Sequence, residues 1–343
     1  MTRYDKILGA MLGAAVGNAM GAPLETRPPF LIKKELGNGD YVRDYVAMPY
    51  DAPQQDLPLG TVSYDFAIAY LSLAGFAKAG GVTTQAAHDA LLELKNNEKY
   101  AVYASRVDTA TTVGIDRILG VEHGWTPYDD LPVDNRYLTS SAAAKAWVCG
   151  LFNPGDVDKA IDDVFAMCLT AHDNTIALSG AAATAAAVAA AMADGATLAD
   201  VIEAGIAGAH KGYEKALLVA RHSAGASVEE RIKLAVELGI KYSGDFEACV
   251  TEMGDIVGTG INVNEAVPAV FGFLAASGGD VMKAIYLAIN AGNDSDTVGA
   301  MVGAIAGALK GAGSIPEKHL PLLSEVNDMD IAGLAKQVSE IVA

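Results

Sequence analysis

The feature that most constrains the fold is a set of long runs of small, apolar residues. The run from Ala177 to Met192 consists mostly of alanine. Alanine is the strongest helix former, and small side chains let neighbouring helices approach closely. Aromatic residues make up only 7% of the chain, and no segment shows the clean two-residue alternation of a half-buried strand. The sequence therefore predicts an all-α fold, a compact bundle of many helices.

Helical periodicity and its interruptions divide the chain into elements. Pro23 and the Pro28-Pro29 pair end a first predicted helix over residues 3–22. Irregular segments with several glycines or prolines predict two loops, at residues 30–59 and 123–137. The other predicted helices span residues 64–79, 84–95, 100–120, 142–152, 156–170, 174–194, 198–211, 213–223, 227–239, 244–253, 263–277, 280–291, 296–311 and 328–342.

The chain length of 343 residues permits one large domain or two. No low-complexity linker divides the sequence, and no internal repeat is evident. We therefore expect a single domain over residues 1–343, built as an orthogonal multi-helix bundle.

The net charge limits the classes of binding partner, and the cysteines indicate the cellular compartment. A net charge of −18 argues against nucleic-acid or membrane partners, because both require basic surface to neutralise phosphate. Cys149, Cys168 and Cys249 lie far apart without a C-x-x-C pair, which is typical of buried thiols in a reducing cytoplasm. The apolar stretches near the N-terminus and at residues 176–192 are interpreted as core helices. The oligomeric state is left open.

A polar segment, Asp294-Ser295-Asp296-Thr297, leads into an apolar stretch that is too uniform for a surface helix. The start of this helix should therefore be buried. Carboxylate and hydroxyl oxygens are hard ligands that suit Mg²⁺, Mn²⁺ or Ca²⁺. The alternative is that Asp294 or Asp296 is simply a helix N-cap. One cap explains one aspartate and not the pair with Thr297, so the segment favours a cation site.

Three segments together resemble one family, the ADP-ribosylglycohydrolases, which includes the dinitrogenase reductase-activating glycohydrolases. The stretch from Leu8 to Glu25 is similar to the opening helix of that family and its acidic end. The Asp294–Gly299 segment resembles its metal-binding D-x-D-T motif. Thr170-Ala171-His172, followed by the alanine-rich run, resembles its central T-x-H segment. Order and spacing agree over nearly the whole chain.

The resemblance implies an all-α bundle whose cleft holds one or two divalent ions, Mg²⁺ or Mn²⁺, beneath a substrate ribose. It also implies a catalytic set of Glu25, Asp65 and Asp296, with Glu25 as base or water-positioning residue. The residues alone favour the alternative that Glu25 is a cap or an ion-pair partner at the helix end. The implied metal ligands are Ser63, Asp65, Asp294, Asp296 and Thr297.

The chain departs from the family pattern in the segment around Ser63 and Asp65, which would supply the remaining implied metal ligands. Tyr64 stands where the family has the first aspartate of its Thr/Ser-Asp-Asp-Thr segment, and Phe66 replaces the second threonine. A phenol is protonated near neutral pH and is a poor ligand for a divalent ion. One of the two implied metal positions is therefore open to question.

Further departures concern the predicted substrate-binding residues. Ser140 and Ser141 replace an Asn-Gly turn, Lys145 replaces arginine, and Asn18 replaces a common aspartate. Lysine offers a point charge where arginine offers a bidentate fork. His172 has two possible interpretations: a residue of the cleft, or an ordinary hydrogen-bonded histidine of the core. The predicted substrate-binding set is Asn18, Tyr64, Ser140, Ser141, Lys145 and His172. Arg106, Asp108, Thr109 and Thr112 are further cleft candidates, each weighed against capping or a solvent-facing position.

The leading hypothesis is a divalent-metal-dependent hydrolase that cleaves an N- or O-glycosidic bond at a ribosyl C1. The departures suggest a small-molecule or ADP-ribosylated substrate other than ADP-ribosyl-arginine. The alternative is a non-catalytic binding or structural member that keeps the fold and a partial metal site.

Overall fold

The computed structural model describes residues 1–52, 54–121 and 138–342. These residues form helices and connecting segments without a β-strand, and the only pairings of strand type among them are two isolated bridges, Thr139–Asn262 and Asn174–Arg221. The predicted all-α fold is confirmed. The loop predicted at 123–137 lies outside the described residues.

The α-helices are α1 (Arg3–Gly21), α2 (Pro29–Leu31), α3 (Tyr64–Ala79), α4 (Thr84–Asn96), α5 (Ala101–Ala104), α6 (Thr109–Leu119), α7 (Ser141–Phe152), α8 (Val157–Cys168), α9 (Thr175–Met192), α10 (Leu198–Val219), α11 (Val228–Lys241), α12 (Phe246–Glu252), α13 (Val263–Ser277), α14 (Val281–Asn290), α15 (Ser295–Lys310), α16 (His319–Asn327) and α17 (Ile331–Ile341). Shorter 3-10 and π-helical turns span Ala22–Leu24, Ile32–Leu36, Glu98–Tyr100, Met253–Val257 and Ala312–Ser314.

Most predicted helices are found close to their expected bounds, and the differences have local causes. The break expected at Gly212 is absent, because the missing side chain lets α10 pack directly against Ala182 of α9. The helix expected over 100–120 is two helices, since Asp108 caps a new start at α6. Helix α16 was not predicted, and it tolerates Pro321 because the proline lies in its first turn. The loop expected from residue 30 begins with α2 and a π-helical turn.

Helices α1 and α15 pack backbone against backbone in antiparallel order. Glycines repeat every four residues along both helices, and Gly9, Gly13 and Gly17 of α1 face Gly307, Gly303 and Gly299 of α15. A Cβ built on Gly13 would lie 2.2 Å from the carbonyl oxygen of Gly303, and one built on Gly17 would lie 2.0 Å from that of Gly299. No side chain fits between the two backbones. The start of α15 is therefore held against the end of α1.

The alanine-rich helix α9 is the centre of the bundle. Every one of its residues is buried, with α7, α8 and α10 packed around it. Among the described residues, two helical stretches have the length and apolarity of a membrane span, Arg3–Leu24 and Thr175–Met192, and 100% and 94% of their apolar windows are buried inside the fold. Cys149, Cys168 and Cys249 are free and buried, as predicted.

We predict that Gly13→Ala destabilises the protein by at least about 2 kcal/mol. Alanine normally stabilises a helix relative to glycine by about 0.5–1 kcal/mol, but here its Cβ would collide with the Gly303 carbonyl. The change is measured as the free energy of unfolding in urea.

Gly254→Ala is the matched control, because Gly254 lies in a helical turn with no heavy atom near the added Cβ. Its free energy of unfolding should equal or slightly exceed that of the wild type. Equal stability of the two variants would contradict the backbone-to-backbone packing of α1 on α15.

Candidate functional site

Four helix starts converge on one polar cavity. The first residues of α3, α7 and α15 and the N-cap of α6 surround it, together with the segment that follows α1. The cavity has a volume of about 140 Å³. It is lined by Glu25, Ser63, Tyr64, Asp65, Arg106, Asp108, Thr139, Ser140, Ser141, Ile261, Asp294, Asp296 and Thr297.

Asn18 fixes the start of α3 to α1. Its side-chain amide donates to the Ser63 hydroxyl at 2.8 Å, and the Ser63 backbone N–H donates to the Asn18 side-chain oxygen at 2.6 Å. Asn18 is fully buried and does not line the cavity. It orients Ser63 and Asp65, and direct substrate contact by Asn18 is not supported.

At the start of α15, the aspartates do not serve as caps. Asp294 occupies the N-cap position, but its side chain accepts no hydrogen bond from the helix backbone. Its Oδ2 atom accepts instead from the Ser140 hydroxyl at 2.6 Å. Across the cavity, the Thr297 hydroxyl donates to Asp65 Oδ2 at 2.8 Å. The capping alternative for this segment is therefore wrong.

Two carboxylate oxygens in the described part of the chain are buried without a hydrogen-bond partner, Asp65 Oδ1 and Asp296 Oδ1. The two residues are 2% and 4% exposed. A buried carboxylate oxygen without a partner loses several kcal/mol of solvation in order of magnitude, so such atoms need a counter-charge or a donor. Both residues line the same cavity.

A strained backbone bridge holds Glu25 beside Asp294. Thr26 and Asn293 both adopt left-handed conformations, with φ values of 66° and 58°. The Thr26 N–H donates to the Asn293 carbonyl at 2.7 Å, and the Asn293 N–H donates to the Arg27 carbonyl at 3.1 Å. A positive φ is costly for a β-branched residue such as threonine. The strained bridge places two acidic residues, Glu25 and Asp294, at one cavity.

The cavity disfavours negative charge. Burial, followed by the charges of Asp296 and Asp294, raises the pKa of Asp65 well above its ordinary value. Burial and Asp296 raise the pKa of Asp294 to about 7. Burial and Asp296 also raise the pKa of Glu25 to about 7, although Arg106 forms an ion pair with it and opposes the shift. Glu25 therefore forms an ion pair, as one of the two interpretations from the residues expected, and it also lines the cavity.

Asp108 differs from the other carboxylates because its oxygens are fully engaged. Oδ1 accepts from the backbone N–H groups of Ala110 and Thr111 at 2.8 and 3.2 Å, and Oδ2 accepts from the hydroxyls of Thr111 and Tyr64 at 2.6 and 2.9 Å. Burial favours its neutral form, but His172, the Thr111 hydrogen bonds and Lys145 outweigh burial and lower the pKa of Asp108 to about 2. Asp108 both caps α6 and lines the cavity.

Behind the cavity wall, a chain of polar side chains runs into the core. Lys145 contacts His172 Nδ1 at 3.4 Å, and His172 Nε2 contacts the Ser141 hydroxyl at 2.8 Å. Lysine can only donate, so Nδ1 accepts and Nε2 carries the imidazole proton. The Ser141 hydroxyl in turn bonds the Thr139 hydroxyl at 2.8 Å, and Thr139 and the Tyr64 phenol both donate to Asp108.

This chain corrects the predicted roles of Lys145 and His172. They are 2% and 0% exposed and do not line the cavity, so a direct contact with substrate is not supported for either. The reading of His172 as a hydrogen-bonded core histidine is the one that its surroundings favour. Ser140, Ser141 and Tyr64 do line the cavity, but each already forms a hydrogen bond within the protein.

The residues fit a cation. Ser63, Asp65, Asp294, Asp296 and Thr297, the ligands that the sequence implied, all line the cavity and offer oxygen atoms. Within the described ranges, no three His, Cys, Asp or Glu side chains are arranged as a ready metal cluster. Arg106 and Asp108, weighed only as candidates, also line it, whereas Thr109 and Thr112 do not. Thr139 and Ile261 were missed, since neither belongs to a motif.

Comparison with known proteins gives a match over the whole length. The family model described as ADP-ribosylglycohydrolase matches residues 1–342. The chain belongs to this family.

An uncharacterized protein of Escherichia coli K12, YegU, is 26% identical over 341 residues, covering 96% of this chain and 94% of that protein. A solved structure described as an ADP-ribosylglycohydrolase-related protein complex superposes with a TM-score of 0.67 at 21% identity, covering 99% of both chains. Family and fold therefore point to an ADP-ribosylglycohydrolase-like enzyme, in a family that is generally dependent on divalent metals.

We predict that protonation of His172 destabilises the protein in mild acid. Burial and the charge of Lys145 lower the pKa of His172 to about 3. Because the unfolded histidine titrates near pH 6.5, the unfolded state binds a proton between pH 6.5 and about 3 that the folded state does not. The contribution of His172 to stability is full above pH 6.5 and is lost toward pH 3, by up to about 1.4 kcal/mol per pH unit, while the raised pKa values of Glu25 and Asp294 act in the opposite direction over this range.

The measurement is urea unfolding at pH 6, 5 and 4. His172→Gln removes the titrating group, so its stability should fall less steeply than that of the wild type. His222→Gln, at an exposed histidine, should keep the wild-type slope. A wild-type slope in His172→Gln would show that the buried imidazole is not the cause.

Proposed function

We propose that this protein is a divalent-metal-dependent hydrolase that cleaves an N- or O-glycosidic bond at a ribosyl C1. The observation that carries the proposal is the pair of buried, partnerless carboxylate oxygens, Asp65 Oδ1 and Asp296 Oδ1, in one cavity with Asp294. Mg²⁺ and Mn²⁺ accept such hard oxygen ligands.

The proposed ligands are Asp65, Asp294 and Asp296, with the hydroxyls of Ser63 and Thr297 beside them. Bound there, a divalent cation supplies Lewis-acid chemistry and a fixed positive charge that orients sugar hydroxyls. The residues behind the ligands hold them in place, because Asn18 bonds Ser63 and Ser140 bonds Asp294. The carboxylates are thus set before substrate arrives.

Glu25 is the proposed base. It lies at the cavity after the end of α1, and Arg106 holds its Oε2 atom. A carboxylate so placed accepts a proton from the attacking water and returns it to the departing group. Thr139 and Ile261 also line the cavity, and Ile261, which is 61% exposed, offers an apolar surface to the leaving group.

The size of the cavity supports a small substrate at the reacting centre. Pockets for drug-sized ligands measure roughly 300–1,000 Å³, whereas this cavity measures about 140 Å³. The Ser140-Ser141 segment is tied to Asp294 and His172 and is not free to recognise a distal group. We propose a ribosylated small molecule, and not ADP-ribosyl-arginine, as the substrate.

We also propose a domain count, a cellular location and the classes of partner to exclude. The match of the family model to residues 1–342 supports one domain over the chain. The buried, unpaired cysteines and the acidic charge support a cytoplasmic protein without nucleic-acid or membrane partners.

We predict that Asp296→Asn lowers the affinity for Mn²⁺ at least about tenfold, because it removes a charged ligand. Calorimetric titration with Mn²⁺ measures the change. Asp89→Asn, at an exposed aspartate outside the cavity, is the matched control and should bind as the wild type does. Failure of the wild-type protein to bind Mn²⁺ or Mg²⁺ would favour the alternative, a non-catalytic member that retains only the fold.

The substrate is tested by measuring the release of ADP-ribose from modified arginine with and without Mn²⁺. Little or no release is expected from this substrate, with metal-dependent hydrolysis of smaller ribosides instead. Full, metal-dependent release from modified arginine would contradict the proposed substrate class while supporting the proposed chemistry.

A further inference from the structure

We propose that the cavity holds one divalent cation, at Asp65, Asp294 and Asp296, and that Tyr64 closes the place where a second cation would bind. This inference rests on the proposed metal-dependent function. It concerns the number of ions and the residue that sets it.

The first support is the distribution of available carboxylate oxygens. In the described part of the chain, the buried carboxylate oxygens that lack partners are Asp65 Oδ1 and Asp296 Oδ1. A single ion held by Asp65, Asp296 and Asp294 would satisfy both oxygens. A second ion would need further anionic oxygen atoms at the same cavity.

The second support is the state of Asp108, a further carboxylate that lines the cavity. A carboxylate offers about four lone-pair positions. Asp108 accepts from two backbone N–H groups, the Thr111 hydroxyl and the Tyr64 phenol, with a longer contact of 3.5 Å from Thr139. Its acceptor positions are used, and the charge of Lys145 acts on it from the core. Asp108 is therefore compensated without a metal.

Tyr64 is the residue that completes this arrangement. Its phenol donates to Asp108 at 2.9 Å. Because the hydroxyl hydrogen of Tyr64 is donated to Asp108, the phenol presents no anionic oxygen to a cation. The ring lines the cavity together with Asp65 and Asp108.

Phe66 offers no substitute ligand. It is 1% exposed and packs in the hydrophobic core, with its ring 6.4 Å from that of Tyr70. The first turn of α3 thus presents one carboxylate, Asp65, to the cavity. Glu25 is held by Arg106, so its charge is already offset.

The experiment counts bound Mn²⁺ by electron paramagnetic resonance of the full-length protein. Titration follows the loss of the free-ion signal, and two ions about 3.5–4 Å apart would add a spin-coupled spectrum. The wild type should bind one ion per chain, without coupling. Tyr64→Phe removes only the hydroxyl and should also bind one ion. Tyr64→Asp places a second carboxylate beside Asp65 and Asp108 and should bind two coupled ions.

Each outcome tests a different part of the proposal. Two ions in the wild type or in Tyr64→Phe would overturn the single-ion inference and leave the proposed metal dependence intact. One ion in a folded Tyr64→Asp protein, checked by circular dichroism, would overturn the role of Tyr64. No ion in the wild type would remove the proposed function itself. Because the wild-type count decides the first question, the inference stays testable even if Tyr64→Asp does not fold.

Discussion

The structure of the site depends on the contact between the backbones of α1 and α15. Glycines on both helices remove every side chain between them, so the two axes approach as closely as backbones allow. The contact runs to the end of α1, where the Ser295 hydroxyl donates to the Gly21 carbonyl at 2.9 Å. Gly21 itself faces the backbone of Ser295 and Asp296. A packing interaction in the core thereby sets the position of the carboxylates.

The antiparallel order of these helices has a chemical consequence. It brings the end of α1, with Glu25, to the start of α15, with Asp294 and Asp296. The bridge between Thr26 and Asn293 then fixes the two segments to each other at the cost of two left-handed residues. Helix starts carry partial positive charge, which eases the burial of several carboxylates in a small volume. The fold thus tolerates repulsion that a surface cluster would relieve by moving apart.

The sequence predicted the fold class, most helix bounds and the residues at the cavity, because each has a local signal. Alanine-rich runs specify helices, and the Asp294–Thr297 segment carries oxygen ligands in a buried setting. Glycine spacing also marks the α1–α15 contact, since Gly9, Gly13 and Gly17 recur every four residues. The depth of Lys145 and His172 had no such signal. Whether a polar residue on an apolar helix faces a cavity or the core depends on packing between helices distant in sequence, which periodicity does not encode.

The residues that depart from the family pattern are interpreted differently once their hydrogen-bond partners are known. Taken one at a time, Tyr64, Ser141 and Lys145 look like altered substrate contacts. In the structure, Lys145, His172 and Ser141 are successive members of one hydrogen-bonded chain that continues through Thr139 to Asp108, and Tyr64 donates to the same Asp108 carboxylate. A lysine and a carboxylate lie at the two ends, and the residues between them satisfy polar groups that would otherwise face the core without partners. These residues therefore act together, and they give this wall of the cavity a polar, hydrogen-bonded surface.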